Sequence, residues 1–242
     1  MQIVKSYMVK IPLGRYQTKM KCIKFNLLST ILIILCLIPL SLKAYTDQLI
    51  IETFSQGADE KGVPVGWELK EKEGTPIIRL EKENDTSVLH LISERASFGL
   101  TKEISVDLKE YPYLNFRWKA EKIPKNGDFR KKETDDQAAQ IYVVFGTFKL
   151  TAKIVGYLWE NEVPKFTTGV SPAWGKTRLI VLQSGTENIG TWIWEKRNVY
   201  DDYKALFGKE PPEANLISIY INSQHTQSLA ESYFGDIYFS KK

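Results

Sequence analysis

The chain has 242 residues, of which 43% are hydrophobic, 26% charged and 12% aromatic, the proportions of a globular protein able to bury its own core. Its formal charge of +4 hides an asymmetry, because residues 1–44 carry seven Lys or Arg and no acid, leaving 26 bases against 29 acids beyond them. A slightly acidic body without a basic stripe excludes nucleic acid as a partner, and no phosphate-cradling glycine loop is present.

In chain order the first feature is a leader. Lys19, Lys21 and Lys24 precede the apolar run LLSTILIILCLIPLSL at residues 27–42, Pro39 interrupts it, and Leu42-Lys43-Ala44 ends on a small residue. That is the three-part form of a secretory signal peptide, and a start at Met20 gives it the usual length. The alternative is an uncleaved anchor, although the run falls short of the roughly 20 residues that span hydrocarbon. Residues 45–242 are then one exported domain, periplasmic or in the cell envelope, which meets a membrane only through an uncleaved leader. Both cysteines, Cys22 and Cys36, lie in the leader, so the exported part has neither disulfide nor thiol chemistry.

From there the pattern is one of strands. QLIIETF (48–54), WELKEK (67–72), PIIRLEK (76–82), SVLHLIS (87–93), FGLTKEISV (98–106) and YLNFRWKA (113–120) come first. AQIYVVFG (139–146), IVGYLWE (154–160), TRLIVLQ (177–183), TWIWEKRNV (191–199), NLISIYIN (215–222) and GDIYFS (235–240) follow. Each is short, β-branched or aromatic, and most are separated by Gly, Pro, Asn or Asp. Only YDDYKALFG reads as a helix, with Asp201 and Asp202 in a capping position and Gly208 as its stop. The expected fold is all-β, an antiparallel jelly-roll β-sandwich with one short helix.

Strand alternation sorts the side chains. Leu114, Phe116 and Trp118 share a core face, and Ile141, Val143 and Phe145 point inward, which turns Gln140 and Tyr142 outward. TWIWEKRNV is not cleanly amphipathic: Trp192 and Trp194 lie on one side, Glu195 and Arg197 on the other. That predicts a polar groove in which Glu195, Arg197, Gln140 and Tyr142 converge on one sheet face, beside tryptophans that pack or stack. Arg178 falls at the edge of either face, and Glu133, Asp135 and Asp136 form an acidic cluster ahead of a strand.

Catalytic chemistry has few candidates. The only histidines, His90 and His225, lack both a marked nucleophile and zinc-ligand spacing. Glycoside cleavage needs two carboxylates, which Asp135 or Asp136 with Glu195 could supply.

DDQAAQIYVVF (135–145), YLWEN (157–161), VLQSGTENIGTWIWEKRNVYDDYKALFGKEPP (181–212) and YFGDIYF (233–239) together resemble the bacterial family known as domain of unknown function 3047. The resemblance covers about residues 51–239 and implies an exported sandwich similar to carbohydrate-binding modules. Asp135, Asp136, Trp192, Arg197, Asp202 and Asp236 match the family's pattern. At INSQHTQS (221–228), where that family tends to be Asp-rich, this chain carries Asn222 and Gln224 instead. Modules of this kind often hold a structural calcium between first and last strands, where Glu52 and Asp236 fall; oxygen ligands suit that ion.

The reading is non-catalytic recognition of a carbohydrate or other polyhydroxylated ligand. Trp192 or Trp159 would stack, while Asp135, Asp136, Gln140, Tyr142, Arg178, Glu195 and Arg197 bond or line the site. The alternatives are a glycan hydrolase or lyase using paired carboxylates, and a structural protein of the envelope.

Overall fold

The computed structural model describes residues 46–146 and 151–242, and among these residues the chain forms thirteen strands, one helix and a short 3-10 turn. The leader of residues 1–44, with its signal-peptide and anchor readings, lies outside the described residues. One sheet holds β1 (Gln48–Glu52), β3 (Ile77–Glu83), β4 (Thr86–Glu94), β6 (Tyr113–Lys122), β11 (Ile193–Asn198) and β13 (Leu229–Ser240). Its order is β11-β6-β13-β4-β3, with β1 also on β13. The other sheet holds β2 (Glu68–Glu73), β5 (Ser97–Val106), β7 (Ala139–Phe145), β8 (Lys153–Glu160), β9 (Thr168–Val170), β10 (Thr177–Ser184) and β12 (Ala214–Asn222). Its order is β2-β5-β12-β7-β8-β10-β9.

The result is a jelly-roll β-sandwich, as the alternation predicts, with two departures. β8 and β10 pair in parallel, because the chain between them crosses back before re-entering the sheet, and on that crossover β9 adds a three-residue antiparallel edge. β13 begins at Leu229, six residues before the predicted strand, and runs for 12 residues. Among the described residues no helix is long and apolar enough to cross a membrane.

The core lies between the sheets. Leu114, Phe116 and Trp118 of β6 meet Tyr157 and Trp159 of β8, with the two indoles 5.9 Å apart and Phe116 edge-on to Trp118 at 5.0 Å. Burying such a ring contributes about 2 to 3 kcal/mol through area alone. Helix α1 (Val199–Phe207) closes one end of the sandwich by setting Tyr203 against Phe145 at 4.6 Å. Its cap is not the one expected. The Asn198 side chain accepts from the Asp201 N–H at 3.1 Å, while Gly208, at φ 67°, ends the helix in the left-handed conformation that glycine adopts without a steric penalty. Asp202 turns inward instead of capping.

A second apolar cluster lies outside the seven-stranded sheet. Phe129 and Val163 cover Leu158, Leu179 and Val181, so the segment from Pro124 to Ala138 roofs half of that face. The other half, over β2, β5, β12 and β7, stays open.

Candidate functional site

The open half is a groove of about 270 Å³ whose floor is built by alternation. Ile141, Val143 and Phe145 of β7 and Ile217, Ile219 and Ile221 of β12 point into the core. The residues between them, Gln140, Tyr142, Ser218, Tyr220 and Asn222, therefore face the groove. Two glycines let the tyrosine rings pack close over the neighbouring strands. Tyr220 pairs across the ladder with Gly99, and Tyr142 with Gly156. A Cβ at either glycine would drive into the ring opposite. The rings stand edge to face at 6.4 Å.

At one end of this floor the polar groups are already ordered. The Asn222 Oδ1 accepts from the Gln137 backbone N–H at 3.0 Å and from the Gln140 amide at 2.6 Å, while its amide donates to the Asp135 carbonyl. The Gln137 amide donates to the Asp135 carboxylate at 3.0 Å, and the Tyr142 hydroxyl donates to the Gln140 Oε1. Burial raises the Asp135 carboxyl above the usual carboxylate range, against the pull of Gln137, His225 and Lys72. Burial likewise lifts the Tyr142 phenol well above its ordinary value, so it stays a neutral hydroxyl. Trp174, on the turn before β10, walls one side, and Lys70 and Lys72 of β2 bound the other. At the far end Val144, Ile154 and Leu179 make the lining apolar. An aromatic floor with fixed amides and a third aromatic wall suits a ligand with apolar faces and polar edges.

Of the residues singled out in the sequence, Asp135, Gln140 and Tyr142 meet here. The others do not. Asp136 is fully buried, and its carboxylate accepts from the Thr226 N–H at 2.6 Å and hydroxyl at 2.7 Å, pinning the 221–228 loop rather than facing a ligand. Trp159 is fully buried in the core and cannot stack on anything from solvent. Arg178 alternates with the groove-facing Leu179, so its guanidinium lies on the opposite side, 5.4 Å from the Phe207 ring.

The predicted convergence of Glu195 and Arg197 with Gln140 and Tyr142 is overturned. β11 belongs to the six-stranded sheet, and its Glu195 and Arg197 point into the sandwich. Glu195 accepts from the Gln183 amide at 2.6 Å, with its carboxyl raised by burial. Arg197 makes a two-pronged pair with Asp202, at 2.6 and 3.1 Å, and the Tyr157 hydroxyl donates to the same carboxylate at 2.8 Å. Trp192 lies on the outer face of that other sheet, donating to Glu83 at 2.6 Å with the Arg117 guanidinium 4.6 Å from its ring.

Glu52 and Asp236 do not form a calcium site. The Glu52 oxygens accept from the Trp67 indole and the Lys102 ammonium, each at 2.7 Å, and from the Phe54 N–H at 2.6 Å, so a protein cation already sits where the metal would. Asp236 falls in an irregularity between Phe234 and Ile237 of β13, out of register with its neighbours. Among the described residues no three His, Cys, Asp or Glu side chains gather into a metal cluster.

Sequence reasoning missed Tyr220, Asn222 and Trp174. The alternation of NLISIYIN carries the signal for the first two, since its three isoleucines fix the core face. Trp174 sits in the irregular segment SPAWGK, whose position no periodicity predicts.

Fold and site together define a two-sheet jelly-roll with a preformed polar and aromatic groove on one outer face. By sequence, the chain belongs to the family described as "Protein of unknown function (DUF3047)", whose profile matches residues 66–238. A search of curated proteins returned no match. Among solved structures it is similar to a family 11 carbohydrate-binding module from Clostridium thermocellum in complex with a β-1,3-1,4-mixed-linked tetrasaccharide. That likeness has 7% identity and a TM-score of 0.43, over 80% of this chain and 95% of that one. A family 30 carbohydrate-binding module of a cellulosomal cellulase of the same organism is 12% identical with a TM-score of 0.42, over 81% and 98%. A cellulase derived from Cel12A of Rhodothermus marinus is 10% identical with a TM-score of 0.43, over 78% and 96%.

Proposed function

We propose that this protein is an exported, non-catalytic carbohydrate-binding domain whose groove over β5, β12 and β7 receives the sugar chain. The observation that carries this reading is the pair of tyrosines packed over Gly99 and Gly156 beside an amide network fixed before any ligand arrives. Sugar rings offer an apolar C–H face for the aromatics and hydroxyl edges for Gln137, Gln140, Asn222 and Asp135. Ordering those side chains in advance lowers the entropic cost of binding. The acid among the groove's lining residues is Asp135 alone, whereas glycoside cleavage works with two carboxyl groups across the scissile bond. Export rests on the charge and apolar run of residues 1–44.

Titration of the protein with glycans from a printed panel tests the proposal. Trp174→Ala and Tyr220→Ala are expected to weaken the best binder about tenfold to a hundredfold, the worth of one good contact. The wild type should release no new reducing ends. Undiminished binding in both variants would remove the groove from the interaction, and turnover abolished by Asp135→Asn would make the protein an enzyme.

A further inference from the structure

The apolar end of the groove leads to a group of four cations. Lys153 and Arg178 both lie over the Phe207 ring, at 4.4 and 5.4 Å from its centroid. The Ile154 N–H donates to the Lys176 carbonyl at 3.2 Å, which brings Lys176 beside Lys153. Lys209 follows two residues after Phe207, and burial first, then the nearby charges of Lys209, Arg178 and Lys176, lower the pKa of the Lys153 ammonium. None of the four has a carboxylate partner among the described residues. The nearest acid in sequence, Glu210, is already held by the Lys204 ammonium at 2.9 Å and by the Tyr200 hydroxyl.

Four like charges left unneutralised in a slightly acidic domain cost stability that a bound anion would return. Their position connects them to the groove. Trp174 and Thr177 line the groove, Lys176 lies between them, and Arg178 donates to the Gly175 carbonyl at 2.6 Å. Lys153 and Arg178 face away from the groove but stand at the starts of their strands, on the sheet's rim, so a polymer that leaves the groove past Val144 and Ile154 and turns over that rim would meet this corner. Inside the groove, Lys72 stands on the wall near Asp135, whose carboxyl it pulls down against the rise that burial imposes.

We infer that the groove's ligand is an acidic glycan, its carboxylate groups met by Lys72 along the groove and by Lys153, Lys176, Arg178 and Lys209 where the chain leaves it. This rests on the carbohydrate-binding reading and narrows it to a class of sugar. The contacts are exposed enough to be screened, so they add selectivity and salt dependence rather than a large affinity.

The experiment compares an oligogalacturonate with a neutral cello-oligomer of equal length, by calorimetric titration of the full chain at low and high salt. The uronate should bind about tenfold more tightly at low salt, and that preference should shrink as salt is raised. A double variant, Lys176→Ala with Lys209→Ala, changes two exposed side chains and should lose most of the preference while keeping any neutral binding. Equal or tighter binding of the neutral oligomer would overturn this inference and leave the groove as a neutral-sugar site. A double variant that keeps the full preference would overturn the role of this corner. Binding of neither oligomer, with binding of other glycans from the panel, would overturn only the acidic class; binding of no glycan at all would overturn both readings.

Discussion

Glu160 shows how a residue can be pushed out of its ordinary chemistry by the roof over it. It continues the outward phase of Ile154, Gly156 and Leu158 on β8, but the Pro124–Ala138 segment leaves it no exposure at all. Its oxygens accept from the Phe129 and Asn161 N–H groups at 3.3 Å, long bonds that do not offset burial, and its carboxyl is raised to about 8. In the unfolded chain it ionises near its ordinary 4.5. Between those values the unfolded state has released a proton that the folded state still holds, so stability is highest below the lower value and falls as pH rises to the upper one. The loss is on the order of 5 kcal/mol. Urea denaturation of Glu160→Gln at about pH 5 and pH 8 should show that decline flattened, with the variant the more stable protein at the alkaline end. Nothing in YLWEN distinguishes this glutamate from a solvated one, because what buries it lies some 30 residues earlier in the chain.

At the scale of elements, the clean alternations were legible and the mixed one was misleading. β6, β7 and β12 read correctly because each has a run of large apolar side chains at every second position, and that run can only face the core. TWIWEKRNV has tryptophans on one side and charged groups on the other. Periodicity alone makes the Glu195 and Arg197 side the binding face, whereas the structure turns it into the sandwich, half-buried against Gln183, Asp202 and Tyr157. Partners on other elements decided the matter, and they are invisible to periodicity. β9 is too short to show a period at all. The charged first turn and the glycine stop mark the helix in the sequence, but its cap lies at Asn198, three residues before Asp201. Asn198→Ala should lower stability by about 1 kcal/mol in urea denaturation, with the groove untouched. Alanine at Asp201 should cost less, since that side chain reaches only the exposed amide of Asn198.

For the whole molecule, the sequence told which residues share a face but not which faces meet. Gln140 and Tyr142 face outward on one sheet and Arg197 inward from the other, and both statements fit the same alternation. Assigning them needed the strand order, in which neighbours such as β12 and β5 are more than a hundred residues apart in the chain. The cysteine count is easier to use, because both thiols precede residue 45. A protein trimmed to residues 45–242 should melt cooperatively at the same temperature with and without a thiol reductant, as followed by circular dichroism. A reductant-dependent shift would mean that something other than core burial holds the sandwich together.

β13 is the last strand in chain order, yet it stands in the middle of its sheet, against β6 on one side and against β4 and then β1 on the other. During synthesis the ribosome therefore delivers β1, β4 and β6 long before the strand that joins them. Until the final stretch emerges, these earlier strands have no common partner, and the nascent chain cannot complete this sheet however long translation pauses. A chain cut before Leu229 would lose the sheet's centre rather than an edge.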